Sequence, residues 1–203
     1  MHIRFLILII CLYIPVCTMA QFTDKEKGII HHGGISEPFR VLLLSNEQDS
    51  LILRKQSEDI SPVKENEDLK LLIQRLKLTM QVESGVGIAA PQVGINKNIF
   101  IFTRIDHPDF TAAAAINPKI VGHPEETVCF EQDGCLSIPG ISGNSLRYPW
   151  VDVEYTNEDG DIVKERLEGY SRTGNFTAVV FQHEFDHLRG VLFIDKLCPA
   201  AEE

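Results

Sequence analysis

The sequence is short of positive charge and of long apolar stretches. Lys and Arg number 19 against 29 Asp and Glu, a formal net charge of −10 over 203 residues. Nucleic acid and anionic membrane surfaces attract cationic patches, so this balance disfavours both as partners. The acids are dispersed, which by itself accounts for solubility. The apolar run from Phe5 to Cys17 is too short for a comfortable membrane span. There is no internal repeat and no sign of a second domain, and the length suits one domain with its own core. A dinucleotide fingerprint is missing too. The stretch Gly85-Val86-Gly87-Ile88-Ala89-Ala90-Pro91-Gln92-Val93-Gly94 fails the third-Gly spacing and has no strand–helix frame. Its small residues indicate close backbone approach, either as a turn in a packed region or as one wall of a substrate cleft with Gln92 as a hydrogen-bond donor.

Cysteine is also sparse, with five in the chain. Two of them, Cys11 and Cys17, fall in a segment that stands apart. Residues 1–20 have a basic start at Arg4, the apolar run, and small residues (Thr18, Ala20) before Gln21, the pattern of a secretory signal peptide. Export to a periplasm or out of the cell is therefore expected, with an organelle-targeted or membrane-anchored protein as the alternative. Removing Arg4 leaves 18 cations against 29 acids, a charge of −11. Cys129, Cys135 and Cys198 remain. A Cys129–Cys198 disulfide is one arrangement, and free buried thiols are the other.

The most informative stretch is Gln182-His183-Glu184-Phe185-Asp186-His187-Leu188-Arg189-Gly190. As a helix it puts His183 and His187 one turn apart on one face, where two imidazoles can share a divalent metal. Glu184 lies about 60° from His187 around that helix, within reach of water activated by the metal, an arrangement for metal-assisted hydrolysis. A surface helix with two His and two acids needs no metal. Here Phe181, Phe185 and Leu188 make the segment partly buried, and Gly190 supplies a C-terminal stop. A third His six residues after His187 is absent, because Phe193 stands there, and the sixteen residues after His187 leave little room for a later ligand helix. The third ligand is expected upstream. Cys135, in the small-residue turn Asp133-Gly134-Cys135-Leu136-Ser137, is the best candidate, and a thiolate with two His leaves a tetrahedral position open.

In chain order, residues 21–38 read as an exposed, partly disordered leader and 39–203 as the domain. Phe39–Leu44 is a strand or a buried turn, and Leu51–Arg54 lies in an irregular region. Asn66 caps a helix over Asp68–Val82 whose stripe Leu69, Leu72, Ile73, Leu76, Met80 is core. Strands follow at Asn98–Thr103 and Ala114–Val121. Val151–Tyr155 pairs with Asp161–Leu167 across the turn Asn157–Gly160. The main helix runs from Phe176 to Leu188, and Val191–Ile194 forms a last strand. The fold class is α+β, with short antiparallel β-sheets packed around a central metal-binding helix.

Three segments in fixed order, Gly85–Gln92, Asp133–Ser137 and Gln182–His187, resemble the signature of peptide deformylase, G-x-G-x-A-A-x-Q, E-G-C-L-S and Q-H-E-x-D-H. The resemblance runs from about Phe39 to Leu197 and departs within the motifs only at Asp133. It implies one divalent metal on Cys135, His183 and His187. Fe2+ is the usual metal, and Zn2+, Ni2+ or Co2+ are the substitutes. It further implies Glu184 as general base and acid, and Gln92 with the backbone N–H of Leu136 as oxyanion donors. The implied substrate is an N-formylmethionyl peptide whose methionine side chain enters a pocket lined by Val86, Gly87, Ile88, Phe176, Val179 and Val180.

Three departures from the family carry weight. Asp133 is shorter than the family's Glu, which braces the site against Arg147. Glu168–Phe176 is altered ahead of the metal helix. The chain stops soon after Leu197, without the C-terminal helix of many bacterial deformylases, which argues against ribosome docking. The alternatives to an active deformylase are a catalytically weak relative that binds formyl peptides or metal, and a metallopeptidase.

Overall fold

The computed structural model describes residues 21–199; the expected signal segment lies outside them. A five-stranded antiparallel sheet forms the frame, in the order β1 (Gly87–Ala89), β2 (Ile99–Thr103), β3 (Ala112–Gly122), β6 (Trp150–Thr156), β7 (Ile162–Glu168). The other two strands, β4 (Val128–Cys135) and β5 (Ile138–Arg147), pair only with each other. The class is α+β with short antiparallel sheets, as expected.

Period-two alternation in the sheet builds two cores, one on each face. Ile88, Ile99 and Ile101 turn to one side, where they meet Leu69, Leu72, Ile73, Leu76 and Met80 of α3 (Glu67–Val82). Ala89, Phe100 and Phe102 turn to the other, where Ala178, Phe181 and Leu188 pack around α4 (Thr177–His187). Phe181 meets Phe100 and Phe102 edge-on, with centroids 4.9 and 5.3 Å apart, so α4 is seated by aromatic packing. Asn66 caps α3 through Leu69 N–H at 3.0 Å. Gly190, at φ 70° after α4, passes so close to the carbonyl of Arg54 that a Cβ would overlap it. Only glycine suits both demands.

Three local expectations are corrected. Within the leader, expected to be exposed and partly disordered, Asp24–His31 form helix α1. Thr23 and Glu26 make a reciprocal capping box there. Phe22 and Ile30 are buried, and buried Arg75 of α3 donates to the carbonyls of Ile29, Ile30 and Glu37. The region around Leu51 is helix α2 (Glu47–Leu53), capped by Asn46. The last segment is a 3-10 turn, Phe193–Lys196, rather than a strand. In it Asp195 accepts from Leu192 N–H at 2.8 Å and pairs with Arg54, which curls the backbone instead of extending it.

Cys129 of β4 and Cys198 form a disulfide, with Cα atoms 6.0 Å apart and a sequence separation of 69. Cys135 is the free cysteine among the described residues. Thiol titration of denatured, unreduced protein starting at Gln21 should therefore return one thiol per chain, rising to three after reduction. Three thiols before reduction would disprove the bond. No helix of the described residues is long and apolar enough to cross a membrane.

Candidate active site

Helix α4 presents His183, Glu184 and His187 on its inward side, all buried. The β4–β5 turn brings Cys135 up against them. The ligand atoms of Cys135, His183 and His187 all lie within 4.8 Å of one another, and Cys135 Sγ is 3.3 Å from His187 Nε2. A thiolate and two imidazoles converging in this way match the three-ligand pattern of a catalytic divalent metal. The electrostatics fit as well. Burial works against a charged His183 ring, yet the hydrogen bonds and charges of Asp133 and Cys135 raise its pKa well above the ordinary value. The cluster thus stabilises positive charge between sulfur and imidazole, where a cation would sit. His187 goes the other way, held well below its ordinary value by burial and by the charges of His183 and Arg147. That direction favours its uncharged form, which has a lone pair to offer a cation.

An ionic frame behind α4 orients these groups. Asp133 Oδ1 accepts from His183 Nδ1 at 2.9 Å, which leaves the opposite ring nitrogen for the cluster. Asp133 Oδ2 accepts from Arg147 at 2.8 Å and from Ser145 Oγ at 2.6 Å. Arg147 is 1 % exposed and also donates to Asp186 at 2.6 Å. Burial pushes the Asp133 carboxyl up, but His183, Arg147 and Ser145 hold it well below the usual carboxylate range. The shorter acid therefore still reaches both His183 and Arg147. It does so because β4 breaks register between Phe130 and Asp133, with Gln132 at φ 53°, and the bulge carries Asp133 inward.

Glu184 is buried and its Oε2 has no hydrogen-bond partner. Burial raises its pKa to about 7, only partly offset by the charge of His183. Gln92 sits across from it in the 3-10 turn Ala90–Val93. Its Oε1 accepts from Ala89 N–H at 2.9 Å, which aims Nε2 at Cys135 Sγ (3.5 Å) and Ser137 Oγ (3.2 Å). The segment Phe39–Leu44 is irregular rather than a strand, with Phe39 and Leu42 buried, and it ties the two walls together. Leu42 N–H donates to the Gln92 carbonyl and Leu44 N–H to that of Ser137.

A cavity of about 330 Å³ opens over this cluster. Of the residues expected to line it, Val86, Gly87, Phe176, Val179 and Val180 do, together with Gln92 and Leu136. Ile88 does not. It is fully buried in the α3-side core, because strand alternation sends it to the face opposite Gly87. Gly87 has a more specific place than pocket wall, since a Cβ there would overlap the Glu184 carboxylate. Phe130, Ile138, Ile141 and Arg172 also line the cavity and were not anticipated. Ser145 was missed for a physical reason. On β5 the polar Ser145 and Arg147 point inward and apolar Leu146 points out, the reverse of what hydrophobic patterning leads one to expect.

Comparisons with known proteins agree with this geometry. Residues 41–203 match the sequence profile of the polypeptide deformylase family. A peptide deformylase of Thermotoga maritima is 44 % identical over 149 residues, covering 73 % of this chain and 83 % of that protein. A crystal structure of the Thermotoga maritima enzyme superposes with a TM-score of 0.69 at 39 % identity, covering 80 % of this chain and 99 % of that one. A class I type b peptide deformylase of Acinetobacter baumannii, solved with Met-Ala-Ser bound, superposes with a TM-score of 0.68 at 32 % identity, covering 80 % and 99 %. Matched across most of its length in sequence and in fold, and carrying the Cys–His–His cluster with its adjoining glutamate, the chain belongs to the polypeptide deformylase family.

Proposed function

We propose that this protein hydrolyses the formyl amide of N-formylmethionyl peptides, releasing formate and a free amine. The observation that carries the reading is the Cys135–His183–His187 cluster with Glu184 unpartnered beside it at the floor of a partly apolar cleft. A divalent metal on that cluster supplies the Lewis acid that makes water nucleophilic near neutral pH; ferrous iron is the metal proposed, with zinc, nickel or cobalt as substitutes. The protein's own groups do the rest. Glu184, ionised, takes a proton from the attacking water and returns it to the departing amine, a role suited to a carboxyl whose pKa lies near the working pH. Gln92 Nε2, aimed by its bond from Ala89, and the backbone N–H of Leu136 face the oxygen on which charge develops. Phe130, Phe176 and Val179 offer an apolar wall to the methionine side chain.

We place the enzyme in an exported compartment, supported by the signal-like segment 1–20 and by the Cys129–Cys198 disulfide, a bond rare in reducing cytosol. The deciding experiment is formate release from formyl-Met-Ala-Ser by protein starting at Gln21, purified without oxygen and reconstituted with ferrous iron or nickel. Metal-dependent release is expected. Folded, metal-loaded protein that releases none would overturn the reading in favour of a binding protein. Gly87→Ala is expected to keep the metal but lose about tenfold or more of the rate, because the added Cβ displaces Glu184. A variant with full activity would remove Gly87 from the positioning of that group.

A further inference from the structure

The altered segment ahead of α4 builds a short, pinned loop with one cation at its tip. Ser171 O accepts from Gly174 N–H at 2.9 Å, Ser171 N–H donates to Asn175 O at 3.0 Å, and Asn175 Nδ2 donates to Glu168 O at 2.9 Å. These bonds close the loop into a tight turn with Arg172 at its second position. The Arg172 guanidinium lies 5.8 Å from the ring centres of both Phe130 and Phe176. The side chain is exposed and stands at the outer limit of cation–π attraction from two rings of the cleft wall, and it is the one Lys or Arg side chain lining the cavity among the described residues. It makes no ion pair and no hydrogen bond with the described residues, whereas the other arginines on cavity or core walls, such as Arg75 and Arg147, are fully engaged. The protein carries an excess of ten acids, so a cation left unpaired at the mouth of its catalytic cleft is placed against the general charge of the molecule.

We propose that Arg172 is a specificity-determining residue that binds a carboxylate of the peptide substrate, and that this enzyme acts best on short formyl peptides carrying a carboxylate close behind the formylmethionine. The inference rests on the deformylase reading above. Its chemistry is direct. A guanidinium fork offers paired N–H donors to a carboxylate and gains more there than from a neutral carbonyl. A short free peptide brings its own C-terminal carboxylate to the rim of a 330 Å³ cleft, whereas a long chain presents an uncharged backbone at the same place unless an acidic side chain stands there.

The test compares kcat/KM of the metal-loaded protein for formyl-Met-Ala-Ser as free acid, the same peptide amidated, and amidated formyl-Met-Ala-Asp. The free acid should be preferred over its amide by about tenfold, mostly in KM. The Asp peptide separates the two sources. Preference for the free acid alone assigns the C-terminal carboxylate, and preference for both carboxylate-bearing peptides assigns any carboxylate at that distance. Arg172→Ala should bring the ratio to about one, Arg172→Lys should retain part of it, and Arg172→Glu should invert it. Equal rates on acid and amide in the unaltered protein, or a ratio that survives Arg172→Ala, would overturn the proposal and leave Arg172 as a cover for two aromatic rings. Calorimetric binding of the product Met-Ala-Ser, as acid and as amide, needs no turnover. Failure of every peptide to release formate, with an Arg172-dependent preference kept in product binding, would therefore count against the deformylase reading and not against Arg172.

Discussion

Glu184→Ala is expected to lower formate release by about a thousandfold or more while leaving one metal bound per chain. The metal is unaffected because Cys135, His183 and His187 are all retained. The rate falls because no other described carboxylate is free at that place. Asp133 is committed to His183 and Arg147, and Asp186 to Arg147 and Lys196. Rates on a formyl peptide, with metal content by elemental analysis, check both halves, and an active variant would strip Glu184 of the role.

The same residue links catalysis to stability. The folded protein holds the Glu184 proton up to about pH 7, whereas the unfolded chain releases it near 4.5. Between those values the folded state binds more protons, so this group's contribution to stability declines as pH rises. Above pH 7 the full cost of ionising it in its buried site applies, about 3 kcal/mol for a shift of this size. Metal-free Glu184→Gln should accordingly be more stable than the unaltered protein at pH 8 and equal to it at pH 4. Denaturant unfolding at the two pH values reads this directly, and an equal difference at both would show that the carboxyl is not protonated at neutral pH. The site is built for the reaction at the expense of the fold.

Arg147→Ala should cost about 3–5 kcal/mol of folding stability, the usual penalty for removing one partner from a buried ionic group. Two buried carboxylates, Asp133 and Asp186, lose their shared cation, and Lys196 is left as the remaining partner of Asp186. Because Asp133 orients His183, metal affinity should also fall about 10- to 100-fold. Arg147→Lys keeps the charge but cannot serve both acids with a fork, and it should fall between the two. Urea unfolding and competition against a chelator measure the two effects. A loss under about 1 kcal/mol would mean that the network behind α4 relaxes without its cation.

The elements that were legible in the sequence are those whose side chains alternate by local rule. The Leu69–Met80 stripe, the hairpin around Asn157–Gly160 and the His183–His187 helix each declare themselves within a dozen residues, because helical and strand periods are properties of the backbone alone. Helix α1 was not read from the sequence, because its polar composition concealed it despite the capping box between Thr23 and Glu26. The sequence by itself thus determined the helix that sets His183 and His187 one turn apart with Glu184 beside them, since that spacing is a local fact, whereas Cys135, far upstream, was only its best candidate for a third ligand. Only the tertiary structure decided what stands behind and around them. The bulge that lets Asp133 do a longer acid's work, the pairing of Cys129 with Cys198, the inward turn of Ser145 and Arg147, the overlap of Gly87 with Glu184, and the placing of Arg172 over two rings of the cleft all depend on contacts between segments far apart in the chain. No period in a single strand or helix encodes such contacts. They exist because burial of the two cores brings those segments to one place, and the polar groups carried there must then find partners with each other.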